Sequence, residues 1–197
     1  MITNSTSIHT YLADPTVDVV GLAEYLDHLD ASARLREVRS LGKHEQAKLF
    51  EATGARPIDL THFVPEGTPP LREVVHYGRN SLSALHTFAK RFCRPDAPMN
   101  ELWGYNEHPL SAVIGPGYFI VHSAGPQEVI FDYTIVPPSK LAAWPKIRPN
   151  SERLSRFVYY GTRDAVRGVS RHVVVGRVFR EGHPLDAWFV LCRAGDG

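Results

Sequence analysis

Long hydrophobic runs are missing from this chain. No stretch approaches the roughly 18 apolar residues of a membrane-spanning helix, so no helical span and no membrane partner are expected. The opening Met-Ile-Thr-Asn-Ser-Thr-Ser lacks the charged region and apolar core of a secretory leader. Cysteine is scarce: Cys93 and Cys192 form no CxxC pair and no disulfide framework. They read as small buried hydrophobes in a reducing compartment, and a cytoplasmic location is expected.

Charge of one sign is also lacking. The formal net charge is +1, far from the strongly basic balance of a dedicated nucleic-acid binder, so nucleic acid is not an expected partner. The near-zero sum hides a gradient. Residues 1–139 carry 11 Lys/Arg against 16 Asp/Glu, and residues 140–197 carry 11 against 5. An acidic front and a basic back can attract each other within one chain or between two.

Metal and catalytic signatures are absent too. Ten histidines are present, yet there is no HxH, no HExxH and no Cys/His cluster of zinc spacing, so neither metal nor cofactor is expected. A composite site of distant histidines such as His122 and His172 is the one metal alternative. No GxSxG elbow occurs. Ile114-Gly-Pro-Gly-Tyr118 leads into a strand, whereas phosphate loops lead into a helix, and it reads as a turn.

The periodic segments begin with helices over residues 16–54. Asp18 or Thr16 caps a helix with Val19, Leu22, Ala23, Leu26 and Leu29 on one face. Asp30 caps a second that ends at Gly42, and a third runs from Lys43 to Thr53 and ends at Gly54. Both glycines are expected as left-handed stops. After a Pro- and Gly-rich connection over 55–70, the stripe Leu82, Leu85, Phe88, Ala89 and Phe92 predicts a helix over 71–93, with Gly78 as a break.

Antiparallel sheet is expected over 112–193. Tyr118–Ser123 and Glu128–Val136 flank Ala124-Gly-Pro-Gln127, and a four-residue loop pairs residue 118 with 133. Tyr118, Ile120 and His122 then share a face with Tyr133, Phe131 and Val129, leaving Asp132 on the other. Pro137, Pro138, Pro145 and Pro149 surround Trp144 in a long loop or flap. Phe157–Tyr160 reads as a short strand. Over 162–170, Arg163, Arg167 and Arg171 favour a short helix that Gly168 opposes.

The final hairpin is apolar on both faces and needs two covers. A loop at 181–184 sets Val174 against Leu191 and Gly176 against Phe189 on one face. It sets Val173 against Cys192, Val175 against Val190, Arg177 against Trp188 and Phe179 against Asp186 on the other. The first face is expected to meet the core, with the Phe189 ring lying across Gly176. The second, with an Arg177–Trp188 cation–π pair, has the composition of an interface centre and rim.

The fold expected from these pieces is a single α+β domain over 1–197, with N-terminal helices packed on a curved antiparallel sheet, a meander of four to six strands. Cone-shaped ligand-binding and isomerase folds share that order, an architectural likeness that does not give function. The leading functional expectation is a homodimeric binding module. Its cavity is lined by Tyr118, His122, Phe131, Tyr133, Trp144 and Phe189, with Arg163 at the mouth for a small apolar or aromatic anion. One alternative is an interaction protein using Phe179, Arg177, Val175, Trp188 and Val190 as its interface. The other is a cofactor-independent acid–base enzyme using His122 with Tyr133 or Tyr118. The arginines at 153, 156, 163, 167, 171, 177 and 180 could hold an anion, or form a solvated face paired with the acidic helices.

Overall fold

Eight strands, each hydrogen-bonded to the next and the last to the first, close into an antiparallel barrel. The computed structural model describes residues 6–82, 86–96, 100–152 and 154–195. The strands are β1 (Val74–Asn80), β2 (Thr87–Cys93), β3 (Leu102–Glu107), β4 (Tyr118–Gly125), β5 (Glu128–Asp132), β6 (Thr162–Gly168), β7 (Val173–Arg180) and β8 (His183–Arg193). Tyr77 opposite Cys192 and Gly78 opposite Leu191 make the closing seam. The expected open sheet of four to six strands is thereby overturned.

Closure depends on β1 and β2, in the segment expected to be a helix over 71–93. The stripe Phe88, Ala89, Phe92 satisfies a helical period, but Phe88, Lys90 and Phe92 satisfy a strand period equally. Val74, Val75 and Tyr77 are strand formers, and pairing of β1 with β8 decides the outcome. Leu85, part of the expected stripe, lies outside the described residues. β3 falls between the expected helix over 71–93 and the expected sheet over 112–193, where no element was expected. β6 replaces the expected short helix over 162–170 because both its edges are paired, to β5 and β7. The expected strand at Phe157–Tyr160 is instead a single helical turn, α6 (Ser155–Val158).

The helical expectation over 16–54 matches the structure more closely. After a short α1 (Ile8–Ala13) come α2 (Val19–His28), α3 (Ala31–Ser40) and α4 (Lys43–Ala52), and a further single turn, α5 (Ser111–Ile114), precedes β4. The Asp18 side chain accepts from the Gly21 N–H, and Asp30 accepts from Ser32 and Ala33. Gly42 is not a left-handed stop: at φ −80° it is the N-cap of α4, and Glu45 accepts from its N–H. Gly54 is likewise absent from the positive-φ positions. Arg34, fully buried, ties α3 to the end of α2 by donating to Leu26 O at 2.8 Å and Leu29 O at 2.7 Å.

These helices provide the second cover that the terminal hairpin needs. Leu12, Leu22, Leu26, Val38, Leu41, Leu49 and Phe50 pack on Val173, Val175, Trp188, Val190 and Cys192 from outside the barrel. The hairpin pairs as expected over 173–177, with Gly176 opposite Phe189 and Arg177 opposite Trp188. Its turn is tighter than expected. Only Glu181 (φ 52°) and Gly182 (φ 82°) form it, both left-handed as a two-residue hairpin requires, and a bulge after Arg177 absorbs the difference.

The β4–β5 register is offset by one residue from expectation, with Val121 opposite Phe131 and Ile120 opposite Asp132, and a shift between Ser123 and Gly125. One residue of offset turns every β4 side chain over. Phe119 and Val121 therefore join Val129, Phe131 and Tyr133 in the core, and Tyr118, Ile120 and His122 face outward.

A second outer layer is the 137–150 segment. Trp144 is buried against Tyr105 and Tyr118 on the outside of β3 and β4, and its indole N–H donates to Glu73 at 2.5 Å. The barrel's interior is filled at one end by Ile58, Phe63 and Val64, which flank a 3-10 turn (Leu60–His62). Phe63 meets His76, Phe92 and Phe131 there. No described helix is long and apolar enough to cross a membrane.

Candidate functional site

Alternation along the strands sends Phe88, Lys90 and Phe92 of β2, Asn106 of β3 and Asp164 and Val166 of β6 into the barrel. Lys90 is the exception among these neighbours, an ammonium group on an aromatic face, only 3% exposed. It donates to Asn106 Oδ1 at 2.8 Å and to the Tyr133 hydroxyl, and pairs with Asp164 Oδ2 at 3.4 Å. The rings of Phe88, Phe119, Phe131, Tyr133 and Phe189 surround its Nζ at 4.9 to 5.5 Å. Cation–π attraction of this kind offsets part of the desolvation.

Burial dominates the titration of this cluster. It lowers the Lys90 pKa to about 8, with Asp164 pulling in the opposite direction. It raises that of Asp164, against which Lys90 and a hydrogen bond from Tyr133 act. Tyr133 and Tyr159 are pushed up by burial and then by the nearby Asp164 carboxylate. The outer parts of the network are fixed by the Asn106 side-chain amide, which donates to Gly117 O at 3.2 Å, and by Tyr159, whose ring stacks on Tyr133 at 5.4 Å. The Tyr159 hydroxyl lies 3.1 Å from His108 Nε2. Gly117, at φ 54°, has no room for a side chain because a Cβ would lie 2.5 Å from the Tyr159 ring.

Above this cluster, at the end opposite the Phe63 plug, the barrel holds a cavity of about 370 Å³. Lys90, Asn106, Tyr133 and Asp164 supply part of its polar lining, with His108 and Arg180 among the rest, and Phe88, Val178, Ala187, Trp188 and Phe189 much of its apolar wall. α6 forms one side of the mouth. Arg180 holds it by donating to Phe157 O at 3.0 Å and Val158 O at 3.3 Å, and Phe157 stands 67% exposed at the rim.

Of the residues expected to line a cavity, Tyr133 and Phe189 do, and Phe131 sits deeper, beneath Lys90. Tyr118, His122, Trp144 and Arg163 lie on the outer wall. There Tyr118 donates to Pro145 O at 2.5 Å and Arg163 pairs with Asp132 at 2.8 Å. His122 is half-buried opposite Ile130 and does not meet Tyr133. Val175 and Val190, expected at an interface, are fully buried under the chain's own helices, while Phe179 is partly covered. Arg177 stacks over Trp188 at 5.2 Å, as expected, and approaches Glu51 of α4.

Among the described residues the arginines do not converge on an anion site. Arg167 donates to Phe50 O, the Arg171 backbone meets Asp27, and Arg180 braces α6; Arg153 lies outside the described residues. Among the described residues no group of His, Cys, Asp and Glu is placed to hold a metal ion. The histidines that do approach one another, His62, His76 and His172, gather around Arg193 at the plugged end.

Sequence reasoning passed over Lys90, Asn106, His108, Tyr159 and Asp164. The available signal was the pattern Phe88-x-Lys90-x-Phe92, which places a lysine on an aromatic face once the segment is read as a strand. Thr162-x-Asp164-x-Val166 carries the same signal for the acid.

No family model matches the chain, and the searches of curated proteins and of solved structures give no match. The functional reading therefore rests on the geometry of the barrel.

Proposed function

We propose that this protein binds a small, largely apolar or aromatic molecule in the open end of the barrel, with one polar group of the ligand directed at Lys90, Asn106, Tyr133 and Asp164. The supporting observation is the cavity of about 370 Å³ above a buried, hydrogen-bonded polar cluster. Apolar walls with a few convergent polar groups are the usual composition of a small-molecule site, and the volume lies within the usual range. Asp164 stands beside Lys90, so the polar floor is close to neutral overall. That balance favours an uncharged hydrogen-bonding head group over the anion expected from the arginines.

The test is fluorescence titration with N-phenyl-1-naphthylamine, a neutral aromatic probe, alongside its anionic relative 1-anilinonaphthalene-8-sulfonate. The neutral probe is expected to bind more tightly. Ala187→Trp, which fills the cavity from β8, is expected to weaken it about tenfold or more, whereas Val20→Trp, on the exposed side of α2, leaves it unchanged. Undiminished binding to a folded Ala187→Trp protein would sink the cavity reading.

A further inference from the structure

The cavity reading leaves open why a lysine stands on the floor of an aromatic barrel. A ligand-binding wall needs no amine, and a simple hydrogen-bond donor there could be an amide or a hydroxyl. Lys90 differs from the lysines elsewhere on the described chain. Lys43 is largely exposed and pairs with Asp186, and Lys48 and Lys140 donate to backbone carbonyls near the surface. Lys90 alone among these lines the cavity, and it has a carboxyl, a phenol and an amide within reach of its Nζ.

We infer that Lys90 captures the carbonyl group of an apolar aldehyde or ketone as an imine, with Asp164 and Tyr133 handling the protons. The inference rests on the cavity reading and names the ligand class of that same site. An ammonium group is fully engaged here, its three N–H bonds directed at Asn106, Tyr133 and Asp164. The reacting form is the neutral amine, which has a free electron pair. With a pKa of about 8, about a quarter of Lys90 is neutral at pH 7.5, against about a thousandth of an ordinary lysine.

The steps balance with the groups present. Nζ adds to the carbonyl carbon as the carbonyl oxygen takes a proton from the Tyr133 hydroxyl or the Asp164 carboxyl. The added nitrogen gives up a proton to the vacated base, leaving a neutral carbinolamine. The hydroxyl then takes a proton from the acid, the C–O bond breaks, water leaves, and C=N forms as a protonated imine, whose N–H proton returns to the same base to give the neutral imine. One amine and one carbonyl give one imine and one water, with no change of oxidation state. A protonated imine would have Asp164 as its counter-ion. Apolar walls favour the loss of water, and a neutral carbonyl, unlike a carboxylate ligand, is not repelled by Asp164.

The test treats the purified full chain with 2-naphthaldehyde and sodium cyanoborohydride, with and without excess N-phenyl-1-naphthylamine, and maps the adducts by peptide mass spectrometry. A reduced naphthylmethyl adduct is expected on Lys90, protected by the competing probe, while labelling of Lys43, Lys48 and Lys140 is unaffected by it. Labelling of Lys90 is expected to be half-maximal near pH 8, where the surface lysines are still rising. If the neutral probe binds but Lys90 stays unmodified while surface lysines react, the imine is excluded and the cavity reading stands. If neither occurs, both fall. An adduct on Lys90 that the probe does not protect also overturns the proposal, because the carbonyl would not have come through the cavity. These outcomes are read on the unmutated protein, so they do not depend on a Lys90 variant folding.

Discussion

Gly176 and Phe189 face each other across β7 and β8, and the Phe189 ring occupies the space a side chain would take: a Cβ on Gly176 would lie 2.1 Å from its Cζ. Gly104 stands in the same relation to Phe119, at 2.5 Å. The barrel is thus filled by aromatic rings laid over glycines on neighbouring strands. That arrangement lets several large residues share an eight-stranded interior and leaves the upper end open.

Gly176→Ala is accordingly expected to destabilise the fold by about 1–3 kcal/mol, the range for overpacking a filled core. Urea denaturation would measure it. Phe189→Leu in the same chain should recover part of the loss, and a simple sum of two penalties would show that the two positions do not share space.

Lys90 and Asp164 are expected to depend on each other. Asp164→Asn leaves a buried ammonium without its carboxylate and should cost about 3–5 kcal/mol. The double change Lys90→Met with Asp164→Leu removes both charges and should be much less damaging. A double-mutant cycle by chemical denaturation reads the coupling; additive losses would show the pair to be unimportant.

Lys90 also gives stability an alkaline signature. Its folded pKa of about 8 lies below the ordinary value of 10.5. Between these values the unfolded chain holds the extra proton, so the Lys90 contribution to stability rises with pH. The rise should appear from pH 8 to 9, before the unfolded Cys93 thiol and the tyrosines ionise while their buried counterparts do not, and be absent in Lys90→Met.

His76 acts at the acid end. It is buried among Phe63, Phe92 and Arg193, its Nε2 lies 3.0 Å from Phe63 O, and burial lowers its pKa from 6.5 to about 3. Below pH 6.5 the unfolded chain takes up a proton that the folded chain refuses. Stability should therefore fall as pH drops from 6.5 towards 3, by up to about 1.4 kcal/mol per pH unit from this group. His76→Gln should flatten that slope in denaturation curves taken across the range.

The two cysteines should be inert in the folded protein. Both are buried, and burial pushes the Cys93 thiol up to about 12. Ellman's reagent should find both thiols only after denaturation; rapid reaction of either in the native state would contradict the packing.

Legibility followed the range of the interactions. Asp18 and Asp30 cap helices through N–H groups three residues away or fewer, and those caps were evident. The terminal hairpin was evident over 173–177 because its alternation is long and its partner lies just past a turn. By contrast, Phe88 and Phe92 suit either a helix or a strand, and one residue of offset between β4 and β5 reversed the expected places of Tyr118 and His122. Trp188 posed the right question, what covers the outer face, but its answer lay in helices more than a hundred residues earlier.

The amino-acid sequence by itself determined the starts of α2, α3 and α4, the presence of a turn just after Arg180 and the two-faced apolar character of the last two strands. All of these follow from backbone preference and side-chain period over a few residues. Closure of β1 on β8 and the pairing of Lys90 with Asp164, 74 residues apart, were decided only by tertiary structure. A strand's partner sets which of its faces is buried, and only that burial sets Lys90 among aromatic rings beside Asp164.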